Sequence, residues 1–152
     1  MPNLLRISEA VSLAFHASAL LAAADGKMLL TRSMMAQFLN VSEAHLTKVL
    51  QRLGRLGIVS STRGPRGGFY LNRAALKISL LNIYEAIDGP VSEDHCLLNT
   101  QVCQGAECVL GDLLRLANKE GRYHLEQTTL HMVAAKTGDK LLKALKKSIK
   151  ED

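Results

Sequence analysis

Residues 31–71 constrain the fold of this chain most, because two short helix signals stand directly before a hairpin signal. Thr31 and Ser42 are favourable N-cap residues for two helices, over the segments RSMMAQFL and EAHLTKVLQRLGRL. The first helix is expected to stop at Asn40 and the second at Gly57, and a three-residue turn separates them. Two short capped helices with so short a connection predict a helix-turn-helix.

The second of these helices has one apolar and one polar face. Its apolar side chains follow the i, i+3, i+4, i+7 spacing of a core-facing stripe. They are Leu46, Val49, Leu50, Leu53 and Leu56. The side chains left facing outward are Ala44, His45, Lys48, Gln51, Arg52 and Arg55. Since the major groove of DNA accepts a helix with a polar and basic outer face, this helix is a candidate for reading DNA.

A hairpin follows the two helices, in the segment IVSSTRGPRGGFYL. Ile58 to Thr62 and Phe69 to Leu71 are rich in β-prone residues, and Arg63 to Gly68 between them has the glycines and proline of a turn. A hairpin directly after a helix-turn-helix is a wing. Together with helical segments on both sides, this pattern predicts a mostly α fold with a small β-hairpin, a winged helix-turn-helix.

The distribution of charge favours an anion-binding surface in the same region. Between Ala44 and Tyr84 the chain has seven Lys or Arg residues and no Asp or Glu. Such a window is the electrostatic footprint expected of a DNA-binding segment. The candidate DNA contacts are Ser42, His45 and Lys48 for base edges, Arg52 and Arg55 for phosphates, and Arg63 and Arg66 for phosphates at the wing tip.

All three cysteines lie within the thirteen residues CLLNTQVCQGAEC, in a segment rich in acids. Their odd number and the absence of a secretory signal argue against a disulfide framework and favour a reducing cytoplasm. The acidic surroundings disfavour the thiolate that a catalytic cysteine needs. A bound metal supplies its own positive charge, so Cys96, Cys103 and Cys108 are candidate ligands of iron-sulfur or zinc. Free or redox-sensing thiols are the alternative.

Other classes of protein fit the sequence less well. No Gly-rich phosphate loop and no constellation of histidine and acid accompanies the cysteines, so a thiol-dependent enzyme is disfavoured. The most apolar run, AVSLAFHASALLAAA, has fifteen residues, short of the ~20 of a membrane span, and predicts a buried helix over residues 8–24. The basic terminal block KLLKALKKSIK is expected to be a solvated helix face.

The segment RGPRGGFYLNR, followed by ISLLNIYEAIDGP and three closely spaced cysteines, resembles the winged helix-turn-helix bacterial transcription regulators of the IscR/NsrR family. The resemblance covers nearly the whole chain. It implies a cytoplasmic regulator, with repression as the expected mode, that binds a double-stranded DNA operator as a homodimer. The dimer would form through a long helix from about Cys108 to Leu125, although its apolar stripe suits a partner helix or the domain core equally well.

On this basis the chain divides into three segments. Residues 1–78 form the winged helix-turn-helix DNA-binding domain, and residues 79–107 form a connecting helix and the cysteine-bearing loop. Residues 108–152 form the dimerisation helix and a C-terminal tail. IscR-like proteins have a Glu-Gln pair where this chain has Thr47 and Lys48, so the resemblance does not imply an operator of the IscR kind.

The family uses its cysteines to hold an iron-sulfur cluster, and the resemblance implies one here, with 2Fe-2S favoured over 4Fe-4S. Gly111 stands where IscR-like members have a histidine ligand. The likeness to NsrR-like members points to Glu9 of the partner subunit as the fourth ligand, and His95 beside Cys96 is the second candidate. Protein handled in air is expected to lose such a cluster. The alternative on the same fold is a cluster-free regulator controlled by a protein partner or a metabolite.

Overall fold

The computed structural model describes residues 7–91, 96, 98 and 108–150. Its elements in chain order are α1 (Glu9–Ala24), α2 (Arg32–Leu39), α3 (Glu43–Arg55), β1 (Val59–Thr62), β2 (Gly68–Leu71), a short 3-10 helix (Arg73–Lys77), α4 (Leu80–Asp88), α5 (Val109–Gln127) and α6 (Leu130–Lys150). The two strands form an antiparallel hairpin. The predicted mostly α fold with a small β-hairpin is therefore confirmed.

The caps that the sequence predicts for the helix-turn-helix are formed. Thr31 Oγ1 accepts a hydrogen bond from Met34 N at 3.2 Å, and Ser42 Oγ accepts one from His45 N at 3.2 Å. Asn40 follows α2 in the left-handed conformation, with φ 53°, as a helix-ending asparagine can. Local chemistry thus fixes both sides of the turn between α2 and α3.

The apolar stripe of α3 lies in the hydrophobic core. Four of its five predicted members are buried, namely Leu46, Val49, Leu50 and Leu53. Full burial of one such side chain stabilises the fold by about 1.5–3 kcal/mol. Leu56 is 52% exposed, so its assignment to the stripe is wrong. The reason is that α3 ends at Arg55, and Leu56 leaves the helical path as the C-cap.

The core is built around α1, and the predicted buried helix over residues 8–24 is confirmed. Ser8 caps the helix, since its Oγ accepts a hydrogen bond from Val11 N at 3.1 Å, and most residues from there to Ala24 are buried. Small side chains on this helix allow close packing: a Cβ added at Gly138 of α6 would lie 3.4 Å from the Cβ of Ala23. Among the described residues, no helix is long and apolar enough to cross a lipid bilayer.

The wing is tied to the helix-turn-helix by a backbone bridge. Its two strands pair so that Val59 lies opposite Leu71. Leu30, just before the cap of α2, bridges Phe69 through two hydrogen bonds, from Leu30 N to Phe69 O at 3.2 Å and from Phe69 N to Leu30 O at 2.8 Å. Because Leu30 is also fully buried, the hairpin is held beside the start of the helix-turn-helix.

The C-terminal segment forms a long helix that packs along α1. Leu130 and Leu145 of α6 are fully buried. Leu130 N donates to Ile78 O at 3.1 Å, which fastens the connection between α5 and α6 beside the start of α4. The block KLLKALKKSIK, expected to be a solvated helix face, therefore buries one side while its lysines from Lys140 to Lys147 are exposed. The division into three segments stays a prediction.

Candidate nucleic-acid interface and cysteine segment

The outer face of α3 is polar and cationic. Lys48, Gln51, Arg52 and Arg55 are exposed, and His45 is half-buried. Together with Ala10 and Val49 they line an open groove of about 360 Å³. The groove has no acidic lining residue, so it presents a positive potential to an incoming polyanion.

His45 is held by a residue from another helix. Glu9 Oε1 in the first turn of α1 lies 3.4 Å from His45 Nδ1, and the side chains are 78% and 31% exposed. Ser42, another candidate base contact, accepts the backbone N–H of His45 as the N-cap of α3. Both candidate residues thus lie at the N-terminal end of α3, and His45 is in contact with Glu9 of α1.

Arg52 has a structural contact that its sequence position does not reveal. Its Nη1 donates to Ile87 O in the last turn of α4 at 3.0 Å. A guanidinium has five N–H donors, so this bond leaves others for a phosphate. Arg52 therefore joins α3 to α4 as well as facing the groove.

An ion pair joins the two helices of the helix-turn-helix, and the sequence pattern did not predict it. Arg32 Nε donates to Glu43 Oε2 at 2.7 Å, joining the first turn of α2 to the first turn of α3. A carboxylate in the first turn also complements the positive end of the α3 dipole. The acidic residue next to the Ser42 cap was the signal that could have indicated an N-terminal ion pair.

The tip of the wing exposes its arginines. Residues 61–66, which include Arg63 and Arg66, are exposed. Gly64 has φ 108°, and Gly67 N donates to Gly64 O at 2.9 Å to close the turn. A Cβ at Gly67 would overlap the carbonyl oxygen of Thr62, so the tight turn requires glycine there. The two arginines stand on a turn whose backbone is fixed by glycines.

Two of the three cysteines fall within the described residues, and both are half-buried. Cys108 is the N-cap of α5, where its Sγ accepts a hydrogen bond from Gly111 N at 3.4 Å. The Sγ of Cys96 accepts one from Leu98 N at 3.4 Å. Metal-bound sulfurs commonly accept such hydrogen bonds from backbone N–H groups, so both sulfurs are compatible with the predicted ligand role.

The full ligand set cannot be assembled from the described residues. Cys103 and His95 lie outside them. Glu9 lies within them and contacts His45 of its own chain. Within residues 7–91, 96, 98 and 108–150, no group of three or more Cys, His, Asp or Glu side chains could hold a metal ion. The chemistry of the two described sulfurs nevertheless fits the predicted cluster.

The apolar stripe of α5 is left uncovered in the single chain. Val109, Leu113, Leu116 and Tyr123 are 54–83% exposed, and they recur at spacings of four, three and seven residues. The one buried residue that this helix contributes among the described residues is Gly111. The sequence left open whether the stripe serves the domain core or a partner helix, and the domain core does not use these four side chains.

Known proteins share both the sequence and the architecture described above. The sequence model of the Rrf2 family, described as an iron-dependent transcriptional regulator, matches residues 7–136. A candidate HTH-type transcriptional regulator of Neisseria meningitidis serogroup A is 30% identical over 101 residues, which cover 66% of this chain and 68% of that protein. IscR of Xenorhabdus nematophila is 36% identical over 67 residues, which cover 44% of this chain and 40% of IscR.

Among solved structures, CymR of Bacillus subtilis, described as the global cysteine regulator of that organism, has a similar fold. Its TM-score is 0.73 at 26% identity, over 88% of this chain and 99% of CymR. These similar proteins are transcriptional regulators and not enzymes.

Proposed function

We propose that this chain, which belongs to the Rrf2 family of DNA-binding transcriptional regulators, binds its operator as a homodimer and that an iron-sulfur cluster at its cysteine segment modulates this binding. Repression is the expected mode. In this proposal α3 and the wing contact DNA, and α5 forms the dimer contact. The cysteine segment, residues 96–108, lies between the wing and α5 along the chain.

The main support for the proposed DNA-binding surface is a set of exposed cations without ion-pair partners in the described part of the chain. Lys48, Arg55, Arg63 and Arg66 are exposed, and none forms an ion pair within the described residues. Cations that have no protein partner can neutralise phosphates and release condensed counterions, which is the main source of affinity for DNA. Lys48 lies in the second turn of α3, where the side chains of such helices meet base edges.

The uncovered stripe of α5 supports the homodimer. An apolar stripe with alternating spacings of four and three residues matches the seam of two paired helices. Val109, Leu113 and Leu116 would leave water on pairing, whereas they face solvent in one chain. Pairing through this stripe would set two winged heads on successive major grooves, roughly 34 Å apart along the duplex.

Cys96, Cys103 and Cys108 would supply three thiolate ligands, with the fourth from the partner subunit's Glu9 or from His95. A bound cluster supplies iron atoms that accept thiolate and carboxylate ligands. Cys108 would do so from the N-terminus of α5, directly beside the proposed dimer stripe. Glu9 Oε1 contacts His45, so using this oxygen as a ligand would remove that contact from the DNA-reading face. The chain thus has a physical route from the cysteine site to α3.

A cluster-free regulator is the second candidate. The fold similarity to CymR supports it, since CymR is described as a regulator of cysteine, a signal that need not involve iron. The two functions separate when the protein is purified without oxygen and its iron, sulfide and visible absorption are measured. We expect a coloured, iron-containing protein, and Cys96→Ser, Cys103→Ser and Cys108→Ser should each abolish or sharply destabilise the coloured species. A colourless and iron-free protein after anaerobic reconstitution with iron and sulfide would favour the cluster-free regulator.

A further inference from the structure

An open cleft of about 500 Å³ lies beside strand β2 of the wing. It is bounded by the C-terminal end of α1, by β2 and by the 3-10 helix. None of its lining residues is a candidate DNA contact or a candidate cluster ligand. Its volume falls in the range of about 300–1,000 Å³ that is usual for small-molecule sites.

The lining of the cleft combines an apolar floor with charged groups. Leu21 and Leu71 are buried, and Leu76 and Tyr70 are half-buried. Asp25, Lys27 and Arg73 are exposed at the same cleft, and no ion pair joins any of them to another described residue. The residues that line this cleft thus carry charges of both signs, with no ion pair among them.

Asp25 stands where a negative charge is least favourable for the helix. It is the C-cap of α1, with φ 46° and ψ 41°, and the last turn of α1 has no basic residue. The C-terminal end of a helix carries a partial negative charge, so the Asp25 carboxylate adds to a potential that is already negative. A bound cation would remove this conflict.

Lys27 and Arg73 supply the opposite charge on the same cleft. The guanidinium of Arg73 can bind a carboxylate through two parallel hydrogen bonds, and the ammonium of Lys27 can add a third. A ligand that fits these groups has an ammonium, a carboxylate and an apolar part.

We propose that this cleft binds a free L-amino acid with an aliphatic side chain. Its ammonium is held by Asp25 and the carbonyl end of α1, and its carboxylate by Arg73 or Lys27. Its side chain packs on Leu76 and Tyr70. The cleft shares no residue with the candidate DNA contacts or the candidate cluster ligands. A failure to bind L-leucine would therefore not contradict the proposed function.

The test is isothermal titration calorimetry of the full chain with L-leucine as the probe. Two analogues dissect the chemistry: 3-methylbutylamine lacks the carboxylate, and 4-methylpentanoate lacks the ammonium. L-leucine should bind saturably, and each analogue should bind at least about tenfold more weakly, because each loses one charge-assisted interaction. Equal affinity for the three compounds, or no saturable binding of L-leucine, would overturn the proposal.

Variants locate the site. Asp25→Asn should weaken L-leucine binding about tenfold, and so should at least one of Arg73→Gln and Lys27→Gln. Asp139→Asn and Lys140→Gln, on the exposed face of α6, are matched controls that should bind as the unmodified chain does. Far-ultraviolet circular dichroism confirms folding of each variant. Binding that survives Asp25→Asn, or that survives both substitutions of the cations, would overturn the assignment to this cleft.

Discussion

Glu9 Oε1 lies 3.4 Å from His45 Nδ1, so the first turn of α1 touches the proposed DNA-contacting face of α3. The same carboxylate is the first candidate for the fourth ligand of the cluster. One residue is therefore both a contact of the proposed DNA surface and the first candidate for the fourth ligand, which it would supply to the partner subunit's cluster.

Glu9→Ala should have two separate effects. In the cluster-free protein it removes a negative charge from the proposed DNA face, so operator affinity should rise by up to about fivefold, the range of an exposed charge interaction. In the loaded protein the cluster should still form but be lost faster in air, because water or His95 would replace an oxygen ligand. Fluorescence anisotropy and the decay of visible absorption measure the two effects. Asp139→Ala is the control, and an unchanged decay rate would remove Glu9 from the ligand set.

Lys48→Ala and Arg66→Ala should weaken DNA binding by different routes. Lys48 faces the groove on α3, so its loss should relax sequence preference at one base pair by about 1–3 kcal/mol. Arg66 stands on the wing tip, so its loss should lower affinity evenly for all sequences and reduce the salt slope by about one. Operator and scrambled duplexes titrated at several salt concentrations distinguish these outcomes. Lys140→Ala is the control, and unchanged binding in both variants would refute the winged-helix surface.

Leu113→Glu combined with Leu116→Glu should give a folded monomer. Both side chains are more than half exposed in the single chain, so new charges there should not disturb its core. They would repel each other across paired α5 helices. Light scattering after size-exclusion chromatography measures the mass, and circular dichroism the fold. A variant that stays dimeric would place the contact elsewhere, and an unfolded one would show that these leucines belong to a core.

Ser18→Ala should stabilise the chain by about 1 kcal/mol, because it removes a buried polar group without a partner. Ser18 is fully buried in α1, and its Oγ has no hydrogen-bond partner among the described residues. Urea unfolding followed by circular dichroism measures the difference. Ser33→Ala, at an exposed position of α2, should change stability by less than about 0.5 kcal/mol. A loss of stability in Ser18→Ala would mean that the hydroxyl has a favourable interaction.

Local patterns in the sequence predicted the parts of the fold that local chemistry determines. The caps at Thr31 and Ser42 and the wing between β1 and β2 depend on neighbouring residues, and they are as predicted. The packing of α6 on α1 was not predicted, because it joins opposite ends of the chain. The spacing of apolar residues shows which face of a helix is buried, but it does not show which helix covers that face.

The candidate DNA surface also has contacts between distant residues that the sequence did not predict. The bond from Arg52 to Ile87 O spans 35 residues, and the ion pair of Arg32 with Glu43 spans 11. Outward-facing positions on α3 could be predicted from spacing alone, but their partners on α1, α2 and α4 could not. The ligand set of the cysteines stays a prediction, since Cys103 and His95 lie outside the described residues.

The most direct test of the account is the operator affinity of one protein preparation measured with and without its cluster. An operator fragment is first selected from a random-sequence pool, and anisotropy is then recorded anaerobically on reconstituted protein and on the same protein after chelation of iron. A bound cluster can shift the equilibrium between two arrangements of the DNA-binding domains only by the difference between its affinities for the two arrangements. We predict a difference of at least about fivefold, the lower end of typical coupling between sites. Identical affinities, with iron verified in one sample and absent from the other, would contradict the sensor function and leave the cysteine site with a structural role.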